Sequence, residues 1–163
     1  VAATPAIAAL TAAGIAHEVH RYAHDPRNDN YGSEAVEALG QALGVTAEQV
    51  FKTLVIELSG SRTGLAVAVI PVPRKLSLKA AAAALGASKA VMGEAKAVTR
   101  STGYVLGGVS PIGQRTALPT VVDVSALSWP QVLCSAGRRG LEVALAPADL
   151  VSVTAAVTAD ICA

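Results

Sequence analysis

A chain of 163 residues with 13 Lys and Arg against 12 Asp and Glu has a formal net charge of +1, which excludes a global electrostatic pull on nucleic acid, so any RNA contact must come from a local patch. Hydrophobic residues are 52% of the chain but aromatics only 3%, which points to one domain over 1–163 with a core of Val, Leu, Ile and Ala. No apolar run reaches the ~18 residues of a membrane helix, no basic-then-apolar leader opens the chain, and Cys134 and Cys162 fit no zinc spacing, which predicts a cytoplasmic protein with reduced thiols.

Thr4 and Pro5 predict a helix start, with Thr4 as cap, proline in the first turn, Ile7 and Leu10 on one face, and Gly14 as the stop. Residues 16–22 read as a strand and 24–32 as a polar loop. Ser33 is expected to cap a helix running to Leu43, with Ala35, Val36, Leu39 and Leu43 facing inward and Gly40 weakening it. Thr46 to Gln49 has a capping-box pattern for one short turn. Residues 51–58 and 65–72 read as a hairpin around a turn at 59–64. Ser77 caps a helix over 78–85, closed by Gly86. A short strand at 89–92 and a helical turn at 94–99 follow. Residues 120–124 read as a buried strand, 132–135 and 141–145 as a second hairpin, and Pro147 as the start of a last helix. Hairpins interrupted by helices, without a βαβ rhythm, predict a mixed or antiparallel sheet in an α+β arrangement.

The most distinctive stretch is RSTGYVLGGVSPIGQR at 100–115, with glycines at 103, 107, 108 and 113 and a Ser110-Pro111 step. By composition it is a glycine-rich hairpin with a proline turn. Glycine also lets a backbone approach a ligand closely, and proline holds the turn. There is no Walker A pattern, no GxGxxG after a strand and no GxSxG elbow. His17, His20 and His24 do not converge, so no metal is expected. Lys52, second in an apolar strand, is edge decoration unless its face meets a pocket, where an ammonium suits a phosphate, a ribose oxygen or a carbonyl. Arg138 and Arg139 sit in a glycine turn that is either a solvated tip or an anion contact.

Three pieces carry a resemblance: VFKTL at 50–54, STGYVLGGVSPIGQ at 101–114 and SAGRRG at 135–140. TPA at 4–6, YAHDP at 22–26 and ADI at 159–161 extend it. Together they closely resemble the YbaK family of bacterial trans-editing aminoacyl-tRNA deacylases. The resemblance implies the prolyl-tRNA-synthetase editing-domain fold, an α+β (α/β) arrangement with a mixed, partly barrel-like sheet surrounded by helices. It implies hydrolysis of Cys-tRNA(Pro) without a cofactor, at the acceptor end of tRNA(Pro) charged with cysteine, with prolyl-tRNA synthetase as a candidate partner and neither DNA nor membrane involved. By resemblance, Lys52 orients the tRNA end, and the backbone amides near Gly107 and Gly108 stabilise the oxyanion. Ser110 and Pro111, in the stretch that looks like the family's GxxP loop, are expected to contact the substrate, with Ser110 shaping the loop rather than acting as nucleophile; Tyr22 and Tyr31 stack near the terminal adenine, and Thr53 and Ser135 offer hydroxyls. Arg138, from its place in the glycine turn, is expected as an anion contact to the substrate. The substrate's own thiol would attack its carbonyl, releasing a thiolactone. Ala136 stands where the family usually has a second glycine, and residues 71–75 are richer in proline than expected. Cys134 beside Ser135 is expected to pack rather than react. A deacylase for Ala-tRNA or another mischarged tRNA, and a non-catalytic module for tRNA ends or a synthetase, remain open alternatives.

Overall fold

The computed structural model describes residues 3–163. Helix α1 (Pro5–Ala12) begins as its sequence dictates, with the Thr4 hydroxyl accepting from the Ile7 amide at 3.2 Å. Its apolar face buries Ala6, Ile7 and Leu10. Strand β1 (His17–Arg21) follows. Helix α2 (Tyr31–Leu43) starts two residues before the expected Ser33 cap, on Asn30. A tertiary contact accounts for the early start: a side chain at Gly32 would come within 2.9 Å of Val72, so the first turn is pressed against the sheet. The helix runs through Gly40 and ends at Gly44 in the left-handed conformation. Ala35 and Leu39 are buried, but Leu43, in the last turn, is 43% exposed rather than inward.

Strands β2 (Phe51–Ser59) and β3 (Gly64–Pro71) form the expected hairpin. Helix α3 (Leu78–Ala84) is capped by Ser77, whose hydroxyl accepts from the Ala80 amide at 3.1 Å. Strand β4 (Lys89–Met92) leads into α4 (Ala95–Thr102), which extends a turn beyond the expected 94–99 before Gly103 closes it. Residues 103–119 then hold no strand, so the glycine-rich stretch is an anchored loop and not a hairpin. Strand β5 (Thr120–Asp123) precedes the hairpin of β6 (Val132–Arg138) and β7 (Leu141–Leu145), which is irregular between Ser135 and Arg138. Helix α5 (Pro147–Thr154) and a short strand that its sequence does not announce, β8 (Val157–Ala159), complete the order.

The strands make two sheets. One has five strands in the order β4-β2-β3-β5-β8, antiparallel around β2 and parallel from β3 to β8. The other is antiparallel, β1-β7-β6. They meet at an isolated parallel bridge between Val50 and Leu133 and do not close into a barrel. Alternation along β3 sends Val67 and Val69 into the core between the sheets and Ala66, Ala68 and Ile70 against α3. Across the second sheet, Leu133 and Ala144 pack with Ala35 and Leu39 of α2. Helices therefore cover the outer faces, and the α+β expectation holds. No described helix is long and apolar enough to cross a membrane.

Candidate functional site

Strand β2 is paired with β3 along one edge from Phe51 to Leu58, but its other edge is divided. β4 pairs with it from Ile56 to Ser59, and the Gly93 amide donates to the Val55 carbonyl at 2.9 Å. At the other end, Val50 bridges to Leu133. Thr53 lies between these two pairings, where this second edge of β2 has no strand paired to it. A cavity of about 540 Å³ opens along this gap, a size suited to a small-molecule moiety. Lys52 and Thr53 leave a strand on opposite faces, yet both line this cavity, which wraps the free strand edge.

Of the residues singled out from sequence, Tyr22, Tyr31, Lys52, Thr53, Gly107 and Ser135 line the cavity. Burial holds the Lys52 ammonium below its ordinary pKa, offset in part by Cys162. The Thr53 hydroxyl is buried and has no hydrogen-bond partner among the described residues. A buried polar group without a partner costs about 1–3 kcal/mol, a cost that a hydrogen-bonding group entering the cavity would remove. The Tyr22 phenol is pushed up to about 12, first by burial and then by the neighbouring Glu142 carboxyl. The Ser135 hydroxyl accepts from the Gly137 amide at 3.1 Å.

The glycine-rich loop forms one wall. Gly107 has φ +81°, and a Cβ there would stand 2.5 Å from the Tyr31 ring, so glycine is required twice over. No intramolecular partner exists among the described residues for the amides of Gly107 and Val109, both cavity-lining. The Gly108 amide, by contrast, donates to the Val105 carbonyl at 2.9 Å. Gly108 instead admits the Arg138 backbone, whose Cα would lie 3.0 Å from a Cβ. Ser110 and Pro111 are buried within the loop and do not line the cavity. The Ser110 hydroxyl accepts from the Ile112 amide at 3.2 Å, and its carbonyl accepts from the Gln114 side chain at 2.9 Å. Ser110 is thus a loop-shaping residue.

Arg138 is exposed and meets the site only through its backbone. Its neighbour Arg139 is better placed. Arg139 donates from Nε to the Leu106 carbonyl at 2.8 Å, and its guanidinium lies 4.7 Å from the Tyr31 ring centroid, a cation–π arrangement that ties the loop to α2. Behind Tyr31, His24 Nδ1 is 2.6 Å from Glu34, and this hydrogen bond leads in holding the Glu34 carboxyl below its ordinary value. Cys134 is fully buried with its thiol pushed well above its ordinary range, and it does not line the cavity. No group of three metal-ligating side chains occurs among the described residues.

Glu142 is the site residue that sequence reasoning missed. It is 6% exposed and lines the cavity, and burial pushes its carboxyl up to about 8. No cation pairs with it among the described residues. The available signal was a lone acid inside the otherwise apolar run LEVAL at 141–145.

Comparison with known proteins adds four findings. The family described as "Aminoacyl-tRNA editing domain" matches residues 32–153. A relative from Enterococcus faecalis, described as "Putative Cys-tRNA(Pro)/Cys-tRNA(Cys) deacylase EbsC", is 39% identical over 120 residues, which is 74% of this chain and 72% of that one. Among solved structures, one described as "a putative trans-editing enzyme for prolyl tRNA synthetase" superposes with a TM-score of 0.82 at 25% identity, covering 100% of this chain and 99% of its own. Hypothetical protein APE2540 does so with a TM-score of 0.82 at 26% identity, covering 98% of this chain and 100% of its own.

Proposed function

The chain belongs to the aminoacyl-tRNA editing domain family, and from that premise we propose that it is a trans-editing deacylase that removes cysteine from mischarged Cys-tRNA(Pro). One observation carries the reading. Lys52, the unpartnered Thr53 hydroxyl, the spare amides of Gly107 and Val109, and the unpaired Glu142 surround one cavity whose lining contains no histidine and no cysteine.

That lining offers donors for a developing oxyanion but no activated protein nucleophile. Ser135 has no histidine beside it in the cavity, and Glu142, protonated to about pH 8, is a poor general base at neutral pH. In the mechanism that we propose, the nucleophile comes from the substrate. The cysteine sulfur attacks its own ester carbonyl, the C–O bond to the terminal ribose breaks, and the thiol proton passes to the departing ribose oxygen. The products are a cysteine thiolactone and free tRNA. Confinement brings sulfur and carbonyl together, and the amides of Gly107 and Val109 stabilise the oxyanion. Lys52 positions the ribose–phosphate end. Tyr22 and Tyr31 border the terminal adenosine. An α-ammonium arriving beside Glu142 draws its carboxyl into ionised form and makes the ion pair that the protein itself leaves unmade. Prolyl-tRNA synthetase is the natural source of the tRNA, since a pocket separates proline from a close analogue by only ~10–200-fold.

The test is deacylation of Cys-tRNA(Pro), Ala-tRNA(Pro), Pro-tRNA(Pro) and Cys-tRNA(Cys) side by side, with wild type and Lys52→Ala. Both cysteinyl species are expected to lose their amino acid, with Ala-tRNA(Pro) and Pro-tRNA(Pro) spared and Lys52→Ala nearly inactive. Release of alanine as fast as cysteine defeats the thiol mechanism, and release of nothing by wild type defeats the deacylase reading.

A further inference from the structure

Charge is unevenly distributed along this nearly neutral chain. Between Glu94 and Glu142 there is one acid, Asp123, against five cations, Lys96, Arg100, Arg115, Arg138 and Arg139. Asp123 cannot balance them. It is 4% exposed, and its carboxylate accepts from the amides of Ser125 and Ile161, on the far side of the five-stranded sheet from β4. All five cations are exposed, and none makes an ion pair among the described residues, whereas Arg27 and Arg74 elsewhere do.

The fold places these cations around the cavity loop. Lys96 and Arg100 are one turn apart on α4, and Ala95 and Val98 of that helix line the cavity. Like charges at that spacing weaken a helix, an imbalance that a bound anion relieves. Arg115 is fastened beside them. Its amide donates to the Thr102 carbonyl at 2.9 Å and its guanidinium to the Arg100 carbonyl at 3.4 Å. On the other side of the loop, the Arg138 backbone packs on Gly108 and Arg139 holds Leu106. Residues 103–109 are thus flanked by cations on both sides, and Leu106, Gly107 and Val109 between them face the cavity.

We propose that Lys96, Arg100 and Arg115 form a phosphate track that grips the sugar–phosphate backbone of the tRNA acceptor stem while the charged 3′ end enters the cavity. The proposal rests on the deacylase reading and adds how the body of the substrate is held. Arginine and lysine in an exposed row beside a cavity suit a repeating phosphate chain, and such contacts add affinity without reading sequence. The local excess of cations also explains how a chain of net charge +1 engages RNA at all.

The experiment compares wild type with the triple variant Lys96→Gln, Arg100→Gln, Arg115→Gln on two substrates, Cys-tRNA(Pro) and the cysteinyl ester of adenosine, which has no stem. Relief of the Lys96–Arg100 repulsion and loss of the exposed Arg115 guanidinium hydrogen bond act in opposite directions, so the thermal midpoint is expected to stay within about 3 °C of wild type. Each lost phosphate contact removes about 0.7–0.9 from the slope of log affinity against log salt. The triple variant is expected to lose about two units of that slope and roughly 10–100-fold in kcat/KM on tRNA through KM, with adenosine-ester cleavage unchanged. Equal loss on both substrates, or loss on neither, overturns the proposal. Fluorescence anisotropy with an uncharged acceptor-stem minihelix at low salt reads the track apart from chemistry. Salt-sensitive binding that the triple variant loses supports the track even if no ester is cleaved. Equal binding by both proteins, with a defect appearing only when a synthetase delivers the tRNA, overturns it in favour of an acidic protein surface.

Discussion

The Thr53 hydroxyl and the Glu142 carboxyl are polar groups whose burial makes little sense for a protein without a ligand. The Thr53 hydroxyl is buried and unpartnered. Thr53→Val removes it at similar shape, so the variant is expected to be as stable as wild type or more stable by about 1 kcal/mol, while deacylation falls about tenfold or more. Urea unfolding beside deacylation rates checks this split, since a purely structural threonine would move both together. Glu142 has the opposite thermodynamic signature. Its proton is held more tightly in the folded state, up to about 8 against an ordinary value of 4.5. The folded state therefore binds more protons than the unfolded state between these values, and stability falls as pH rises through that window. At about 1.4 kcal/mol per unit, the fall amounts to several kcal/mol. Thermal unfolding from pH 5 to pH 8 is expected to show it for wild type and to show a much flatter profile for Glu142→Gln, which also raises KM for Cys-tRNA(Pro). A wild-type midpoint independent of pH would contradict the buried-acid account. Lys52 was legible through the VFKTL motif, but Glu142 was not. Strand alternation turns it away from the core that holds Leu141, Val143 and Leu145, and it is buried only because that outer face is covered in the folded chain.

At the scale of elements, the glycine-rich loop is a wall with fixed donors. It is anchored by Tyr104, whose hydroxyl donates to the Ile112 carbonyl at 2.6 Å, and by Gly113, where a Cβ would collide with the Pro5 carbonyl of α1. Gly107→Ala meets both a left-handed backbone and the Tyr31 ring. The expected outcome is a loss of about 1–3 kcal/mol in stability and a drop in kcat larger than any change in KM, because in the proposed mechanism the displaced amide acts on the transition state. Stopped-time deacylation at saturating tRNA measures it. Helix starts at Thr4 and Ser77 were readable because a cap is a contact within one turn. The early start of α2, the extra turn of α4 and the strand β8 were not, because a close approach to Val72, an anchored loop and pairing with β5 set them.

For the whole molecule, the proposed reading assigns specificity to the cavity and tRNA affinity to its rim. Salt is accordingly expected to change KM for charged tRNA without changing the ranking of amino acids released, which deacylation of the four charged tRNAs at two ionic strengths will show. Composition and local pattern alone determined an α+β chain with an aliphatic core, caps, hairpins and a distinctive loop, since these depend on neighbours along the backbone. The motifs were enough to identify the family. Only the tertiary structure decided where β2 lacks a neighbour, that Lys52 and Thr53 reach one cavity from opposite faces of a strand, that the Gly108 amide is occupied while those of Gly107 and Val109 are spare, and that Glu142 is inside. Each of these follows from segments distant in sequence meeting edge to edge, and no local periodicity encodes which strand edge the packing leaves open.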